Sequence, residues 1–375
     1  MKFLHTSDLH LGLRLCETRL NEDIEHALDQ IASIAVRENC ADVIAAGDIY
    51  DRTSPTPESV AIFDRFITKL ASHKIAVMTI YGNHDSPERV AYLSALLQEK
   101  GVFFSPLYTG KLFTAVLQDE YGPVNFHLLP FLRPSVLRLT CEDFDGSTAE
   151  DAVNYALREV DFADGQRHVT VAHQFAASSS KDSVGGSEAV PYTAFAQSDY
   201  TALGHLHSPH HVGMPHIRYS GTPVKTSFAE VNDTKTVTLV ELLEKGNMTI
   251  TELPIVPIRD MREMRGTYEE MTSPKSRNLG STDDYLRIIL TDEEDIPDVM
   301  AKLRTIYPNL MKLSYDNTRT RANREIDGDI TADRAQDSLT PESVFAELFE
   351  LQNNAPASER IMEIAASLFR ESKEG

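Results

Sequence analysis

The stretch Tyr200–Val212, YTALGHLHSPHHV, joins a short apolar run to four histidines, His205, His207, His210 and His211. An extended backbone points residues i and i+2 to one side, so His205 and His207 leave the end of such a run as a pair. Two imidazoles presented together by a strand end are half of a metal site. The rest of the chain must supply the other ligands, and the same pattern recurs four times. Phe3–Ser7 leads into Asp8 and His10, and Val43–Gly47 leads into Asp48. Ala76–Gly82 leads into Asn83 and His84, and Val169–Ala172 leads into His173. Each run has strand length.

Segments with helical period separate the first three runs. Ile24, Leu28, Ile31 and Ala35 share one face, and Val60, Phe63 and Ile67 share another behind Pro57 at a helix start. Strand–helix alternation predicts a layered α/β domain, and such sheets hold their ligands beyond the carboxyl ends of the strands. The Asp, Asn and His residues fall there.

Composition bounds the rest. A chain of 375 residues is too long for one ordinary core, so two or three domains are expected. No apolar run is long enough to span a membrane. The start, MKFLHTSDLH, turns polar too early for a secretory signal. The three cysteines, Cys16, Cys40 and Cys141, are scattered without CxxC spacing, which fits reduced thiols in a cytoplasm. A net charge of −21 argues against unaided binding to nucleic acid. A carboxylate metal site is itself acidic until cations arrive, however, and net charge says nothing of local patches.

Residues 1–253 read as the domain that carries the metal site, closed by a strand-like Thr234–Leu242, with Pro254 and Pro257 marking its end. Residues 254–316 read as a smaller α+β unit, with strands Tyr285–Leu290 and Leu310–Tyr315 around a helix Ile296–Arg304. Residues 317–338 are a polar linker, and 339–375 form two amphipathic helices. Val344, Phe345, Leu348 and Leu351 line the first helix; Ile361, Ile364, Ala365 and Leu368 line the second. These faces suit docking into a partner, with packing on their own domain as the alternative. Arg259, Arg262, Arg265, Lys275 and Arg277 gather positive charge at the entry to the smaller unit. They read equally as a seat for a DNA backbone or as a solvated face.

Imidazole, carboxylate and amide oxygen together suit manganese, iron or zinc. Asp8, His10, Asp48, Asn83, His84, His173, His205 and His207 are more than one ion needs. Two ions about 3.5–4 Å apart can clamp the attacking and leaving oxygens of a phosphoryl displacement, and Asp48 is the natural bridge between them. Alone, Asp8 or Asp48 would read as a loop cap, Asn83 as a turn residue, and His173 as a satisfied core histidine. Five strand ends with matching chemistry make coincidence a poor account. His210 and His211 lie beyond the pair and read as surface residues.

These residues also carry a family resemblance. DLHLG (Asp8–Gly12), GDIYD (Gly47–Asp51), GNHD (Gly82–Asp85), AHQF around His173 and GHLH (Gly204–His207) resemble, in order and spacing, the five blocks of the calcineurin-like metallophosphoesterases. SVGGSEAV before the opening stretch, and YSGTPVKTSFAE (Tyr219–Glu230) after it, resemble the SbcD-type nuclease subunits within that superfamily. The resemblance implies a layered sandwich of two mixed β-sheets flanked by helices, with a small α+β capping domain and C-terminal helices. It implies two divalent ions, manganese being expected. Asp8, His10, Asp48 and His207 would hold one ion; Asp48, Asn83, His173 and His205 would hold the other.

His84 would face the scissile phosphate, a role suited to imidazole, which gives and takes protons near neutral pH. Asp51 stands where some relatives have histidine, and its carboxylate is expected to orient His84. The following Arg52 resembles the DR of protein phosphatases. The implied function is a DNA nuclease, exonucleolytic on duplex ends and endonucleolytic on single strands and hairpins. It would act in the cytoplasm, in DNA repair, recombination and replication, with an SbcC-type ABC ATPase bound by the C-terminal helices. A homodimer within a heterotetramer is implied, and no membrane. The alternative is a stand-alone phosphatase or cyclic-nucleotide phosphodiesterase of the same fold. A non-catalytic scaffold fits least, because every expected ligand is retained.

Overall fold

A computed structural model of the chain describes residues 1–178, 183–184, 187–318, 320, 345, 360–362 and 365. The expected linker 317–338 and the expected helices 339–375 lie almost wholly outside the described residues. Two compact units are distinguished. One comprises Met1–Met264, Thr272–Ile288 and Asp298–Leu313; the other comprises Arg265–Met271, Ile289–Pro297 and Ser314–Gly375.

Two six-stranded sheets make up the first unit. The first contains β1 (Lys2–Thr6), β2 (Asp42–Ala46), β3 (Ala76–Ile80) and β4 (Val102–Phe104). The second contains β5 (Phe113–Asp119), β6 (Gly122–Leu129), β7 (Arg167–His173), β8 (Tyr200–Gly204), β9 (His210–Val212) and β10 (Met214–Tyr219). β11 (Thr236–Leu242) and β12 (Met248–Pro254) return to the first sheet, giving the order β12-β11-β1-β2-β3-β4. The second runs β9-β10-β8-β7-β6-β5. In each sheet four neighbouring strands are parallel and the remaining pairings are antiparallel, so both are mixed as expected.

Alternation along the strands decides what packs where. Phe3, Ile44, Met78 and Ile80 point between the sheets and meet Val124, Phe126, Val171 and Tyr200. Leu4, Val43 and Val77 point the other way, onto helices α1 (Asn21–Arg37) and α2 (Pro57–Ser72). Strands covered on both faces read as continuous apolar runs, as these do. The outer face of the second sheet packs Ala172, Leu203 and Ile217 with Ala152, Val153 and Ala156 of α3 (Ala149–Leu157).

All four predicted core positions of α1 are at most 2% exposed. Helix α2 does begin at Pro57, with Thr56 accepting the Ser59 amide at 3.2 Å. Its buried stripe is Ile62, Phe63, Phe66 and Leu70, however, and Val60 is 44% exposed. Val60 follows the buried Ser59 by about 100° of helix, which turns it to solvent. The strands at Tyr285–Leu290 and Leu310–Tyr315 form as expected, joined by Met261–Gly266 at one edge. The helix between them starts at Val299 rather than Ile296, behind a left-handed Asp298 (φ 52°).

Two polar links pin the sheets together. His5 of β1 bonds Tyr200 Oη at 2.9 Å through Nδ1, and its Nε2 lies 3.1 Å from the Leu203 carbonyl of β8. Burial lowers its pKa to about 3 and keeps it neutral. Arg167, 2% exposed at the start of β7, donates to Asp119 of β5 at 3.1 Å and to the Leu242 carbonyl of β11 at 3.3 Å. Burial alone would raise the Asp119 carboxyl, but its bonds to Arg167 hold it well below the ordinary carboxylate range. A depressed carboxylate stabilises the fold above its ordinary pKa of 3.8, and that contribution is lost as the pH falls. Asp119→Asn leaves the buried guanidinium its carbonyl acceptors but no carboxylate, and is expected to cost about 3 kcal/mol at pH 7. In urea titrations the gap between parent and variant should narrow below pH 4; a gap independent of pH would remove the pair as its cause.

Candidate metal centre

The five predicted strand ends converge at one edge of the two sheets. Register places Gly204 beside His173 and Ala46 beside Ile80. The loop after β1 is laced to the loop after β2: the amides of Asp8, His10 and Leu11 donate to the carbonyls of Gly47, Asp48 and Ile49, each at 3.0 Å. Asp8, His10 and Asp48 all have positive φ (53°, 46° and 49°), and His205 has φ 109°. Backbone of this kind is costly for residues other than glycine and persists where surroundings over-determine it. Here the lacing holds it, and so does the His205 amide, which donates to both Asp8 carboxylate oxygens at 3.0 and 3.1 Å. Gly82 is required for a different reason: a Cβ there would lie 2.1 Å from Asp48 Oδ1.

Asp48 is the hub. Its Oδ2 lies 3.4 Å from His173 Nε2, 3.8 Å from His10 Nε2 and 4.0 Å from His84 Nε2. Its Oδ1 accepts the His84 amide at 2.9 Å. Asn83 Oδ1 is faced by both His173 Nε2 and His205 Nδ1 at 3.0 Å. Donor atoms of three sets, Asp8–His10–His207, His10–Asp48–His84 and Asp8–Asp48–His173, each lie within 4.8 Å of one another. The structure thus brings together all eight residues singled out from the sequence. His210 and His211 stay outside, exposed on β9, with His210 stacked on Tyr219 at 4.9 Å.

The donor set fits divalent cations. His10 is 3% exposed, yet neither ring nitrogen has a hydrogen-bond partner among the described residues. Leaving a buried polar atom unpaired costs about 1–3 kcal/mol, which an ion at Nε2 would remove. Burial lowers His10 to a pKa of about 3 and His205 to about 4, so both are neutral and offer lone pairs. For His173 burial acts downward, but the Asp48 charge and bond prevail and raise it to about 9. Burial acts upward on Asp48, and His173 in turn holds it well below the ordinary range. The Asp48 carboxylate therefore balances the His173 imidazolium, whereas burial raises the Asp8 carboxyl above its ordinary range.

Main-chain and carboxylate groups aim the rings. The His173 Nδ1–H donates to the Ala46 carbonyl at 2.8 Å, which leaves Nε2 for the centre. His207 Nδ1 faces Thr226 Oγ1 at 3.0 Å and Glu230 Oε1 at 3.5 Å. His84 Nδ1–H donates to the Asp51 main-chain carbonyl at 3.0 Å. This corrects the expected Asp51 carboxylate–His84 pair: the carboxylate turns instead to His10 Nδ1 at 3.8 Å and Arg52 Nε at 3.4 Å. The turn GDIYD lets the carbonyl reach the ring first, and only the side chain's charge was legible in the sequence.

Of the five basic residues that read equally as a DNA seat or a solvated face, three have carboxylate partners among the described residues. Arg259 pairs with Glu22 at 2.8 Å and Asp23 at 3.4 Å, Arg262 with Asp284 at 2.6 Å, and Arg265 with Asp316. Acidic partners distant in sequence neutralise them, which local charge counting does not reveal.

A family model described as calcineurin-like phosphoesterase matches residues 1–209, more than half the chain. The chain belongs to the calcineurin-like phosphoesterases. A second family model, described as the type 5 capsule protein repressor C-terminal domain (SbcD_C), matches residues 257–353. Among curated proteins, the chain is 29% identical over 340 residues to the D subunit of the SbcCD nuclease of Staphylococcus epidermidis, covering 87% of this chain and 89% of that one. Among solved structures, a dimetal phosphatase from Danio rerio aligns with a TM-score of 0.41 at 12% identity, covering 68% of this chain and 96% of that one. As a calcineurin-like phosphoesterase the chain is a metal-dependent hydrolase, built on the layered α/β sandwich expected.

Two residues of this phosphoesterase site escaped the sequence reading. Asp85 closes the GNHD block and is 3% exposed; its carboxylate accepts the amides of Ile49, Tyr50 and Gly82 at 3.1, 2.9 and 2.9 Å. It thereby sets the path of the Asp48 loop. Glu230, 6% exposed, accepts from Lys235 at 2.6 Å and Thr226 Oγ1 at 2.6 Å as it faces His207. Its only sequence signal was its place at the end of the YSGTPVKTSFAE block. Glu230→Gln weakens the charge behind His207, and is expected to reduce manganese affinity by roughly 10–100-fold, measured by calorimetric titration. Unchanged affinity would make Glu230 a purely structural partner of Lys235.

Proposed function

We propose that this chain is the nuclease subunit of an SbcCD-type complex, hydrolysing phosphodiester bonds of DNA. The observation that carries this reading is the breadth of the likeness to the staphylococcal protein: it covers 87% of the chain, well beyond the phosphoesterase match at residues 1–209. In this reading Asp8, His10, Asp48 and His207 hold one divalent ion, and Asp48, Asn83, His173 and His205 hold a second, with manganese the ion proposed. The ions supply Lewis acidity toward the phosphate and a nucleophile at neutral pH. The chain's own residues do the rest. Ala46, Glu230 and Asn83 hold His173, His207 and His205 in the orientations described above. The Asp51 carbonyl fixes His84.

The His84 side chain is 44% exposed, so its Nε2 can meet a bound phosphodiester and pass a proton to the leaving oxygen. The Asp51 carbonyl accepts from Nδ1–H in both the neutral and the cationic ring, so this orientation survives the transfer. A homodimer of such chains is proposed as part of the assembly. The segment 339–375 is proposed to bind an SbcC-type ATPase in the cytoplasm.

The test is incubation of the full chain and manganese with linear duplex and single-stranded DNA. Release of nucleotides or short fragments is the expected result. Ready hydrolysis of a small phosphomonoester without cleavage of either DNA would overturn it in favour of a phosphatase.

A further inference from the structure

Beside His173 a groove of about 350 Å³ opens, in the size range of small-molecule sites. Phe131 forms its near wall, with its ring 6.3 Å from that of His173 and nearly perpendicular to it (82°). The Phe131 amide donates to the Tyr81 carbonyl at 3.0 Å, which fixes the residue to the loop that carries Asn83 and His84. Arg133 lies over the Phe131 ring at 5.7 Å. In a chain with a net charge of −21, Arg133 is exposed and has no carboxylate partner among the described residues. Arg138, on the same wall, bonds only the Gly146 carbonyl among the described residues, at 2.8 Å. Glu188, on the far side, accepts the Ala149 amide at 3.2 Å.

A further lining residue is Gln174, next in sequence to His173. It is 2% exposed, and its side-chain nitrogen has no hydrogen-bond partner among the described residues. A buried amide donor without an acceptor is costly, and a ligand atom in the groove would satisfy it.

We propose that this groove is a subsite for an unpaired nucleotide next to the scissile phosphate. It rests on the nuclease reading and extends it to the state of the DNA. An arginine over an aromatic ring makes a flat cationic platform on which a base stacks while its phosphate is neutralised. A base pair at a duplex end can stack too, but only an unpaired base offers its pairing edge to the Gln174 amide. Duplex ends thus enter by unpairing their terminal nucleotide, and single strands enter directly.

The full chain, loaded with manganese and carrying His84→Ala so that DNA stays intact, is titrated with fluorescent single-stranded and blunt duplex DNA. Phe131→Leu is expected to raise the single-strand Kd roughly tenfold and the duplex Kd much less. Phe131→Tyr, which keeps the stacking face, restores parental binding. Arg133→Ala and Gln174→Leu each weaken single-strand binding. Equal behaviour of the Leu and Tyr variants, or parallel loss for both DNA forms, overturns the subsite. If the unsubstituted enzyme cleaves DNA and these variants bind single strands as the His84→Ala parent does, only the subsite falls. If the unsubstituted enzyme neither binds nor cleaves DNA, the nuclease reading falls and takes the subsite with it.

Discussion

His84→Ala is expected to lower phosphodiester turnover about a thousandfold while metal content stays at the parental level, because positioned proton transfer contributes roughly 10²–10⁴-fold. The geometry separates His84 from the other histidines of the cluster. His10 and His173 are buried, whereas the His84 side chain is 44% exposed. Its ring is aimed by a main-chain carbonyl, and its Nε2 stands 4.0 Å from Asp48 Oδ2, farther from that oxygen than the nitrogens of His173 and His10. Its link to the metal pocket is instead its amide, which donates to Asp48 Oδ1 at 2.9 Å and is untouched by the substitution. Metal analysis after gel filtration, paired with turnover of linear DNA, makes the check. Loss of metal in step with activity would make His84 a ligand. Turnover within tenfold of the parent would remove it from proton transfer.

The strand ends were legible because their chemistry is local. An apolar run followed by Asp or His states both the element and the ligand, and β1, β2, β3, β7 and β8 each obey that form. The stripe of α1 was legible for the same reason, since period alone defines it. What escaped depends on distance. Glu230 reaches His207 across 23 positions, and Asp85 reaches Ile49 across 36. Arg259 finds Asp23 across 236. Asp51 was assigned a role by the charge of its side chain, whereas its carbonyl does the aiming. Main-chain groups are the same at every position, so a sequence cannot announce them. The unsatisfied nitrogens of His10 and Gln174 were equally hidden, because an orphaned donor is defined by what surrounds it.

Asp48→Asn should have the larger effect. The substitution preserves shape and the acceptor for the His84 amide, but removes the charge shared by the whole centre. If Asp48 bridges two ions, both sites weaken together, whereas loss of an outer ligand such as His207 weakens one. Metal stabilisation of a phosphoryl displacement is worth several kcal/mol, so loss of both ions lowers turnover by roughly a thousandfold or more. Manganese titration is the discriminating measurement. The parent is expected to bind two equivalents, and the Asp48→Asn variant neither at comparable concentration. The fold should persist, since Leu4, Ile44, Met78 and their partners pack without the carboxylate. Retention of one equivalent at parental affinity would make Asp48 a ligand of a single ion, and the bridge would then have to be sought at Asp8, whose carboxylate shares a 4.8 Å cluster with Asp48 and His173.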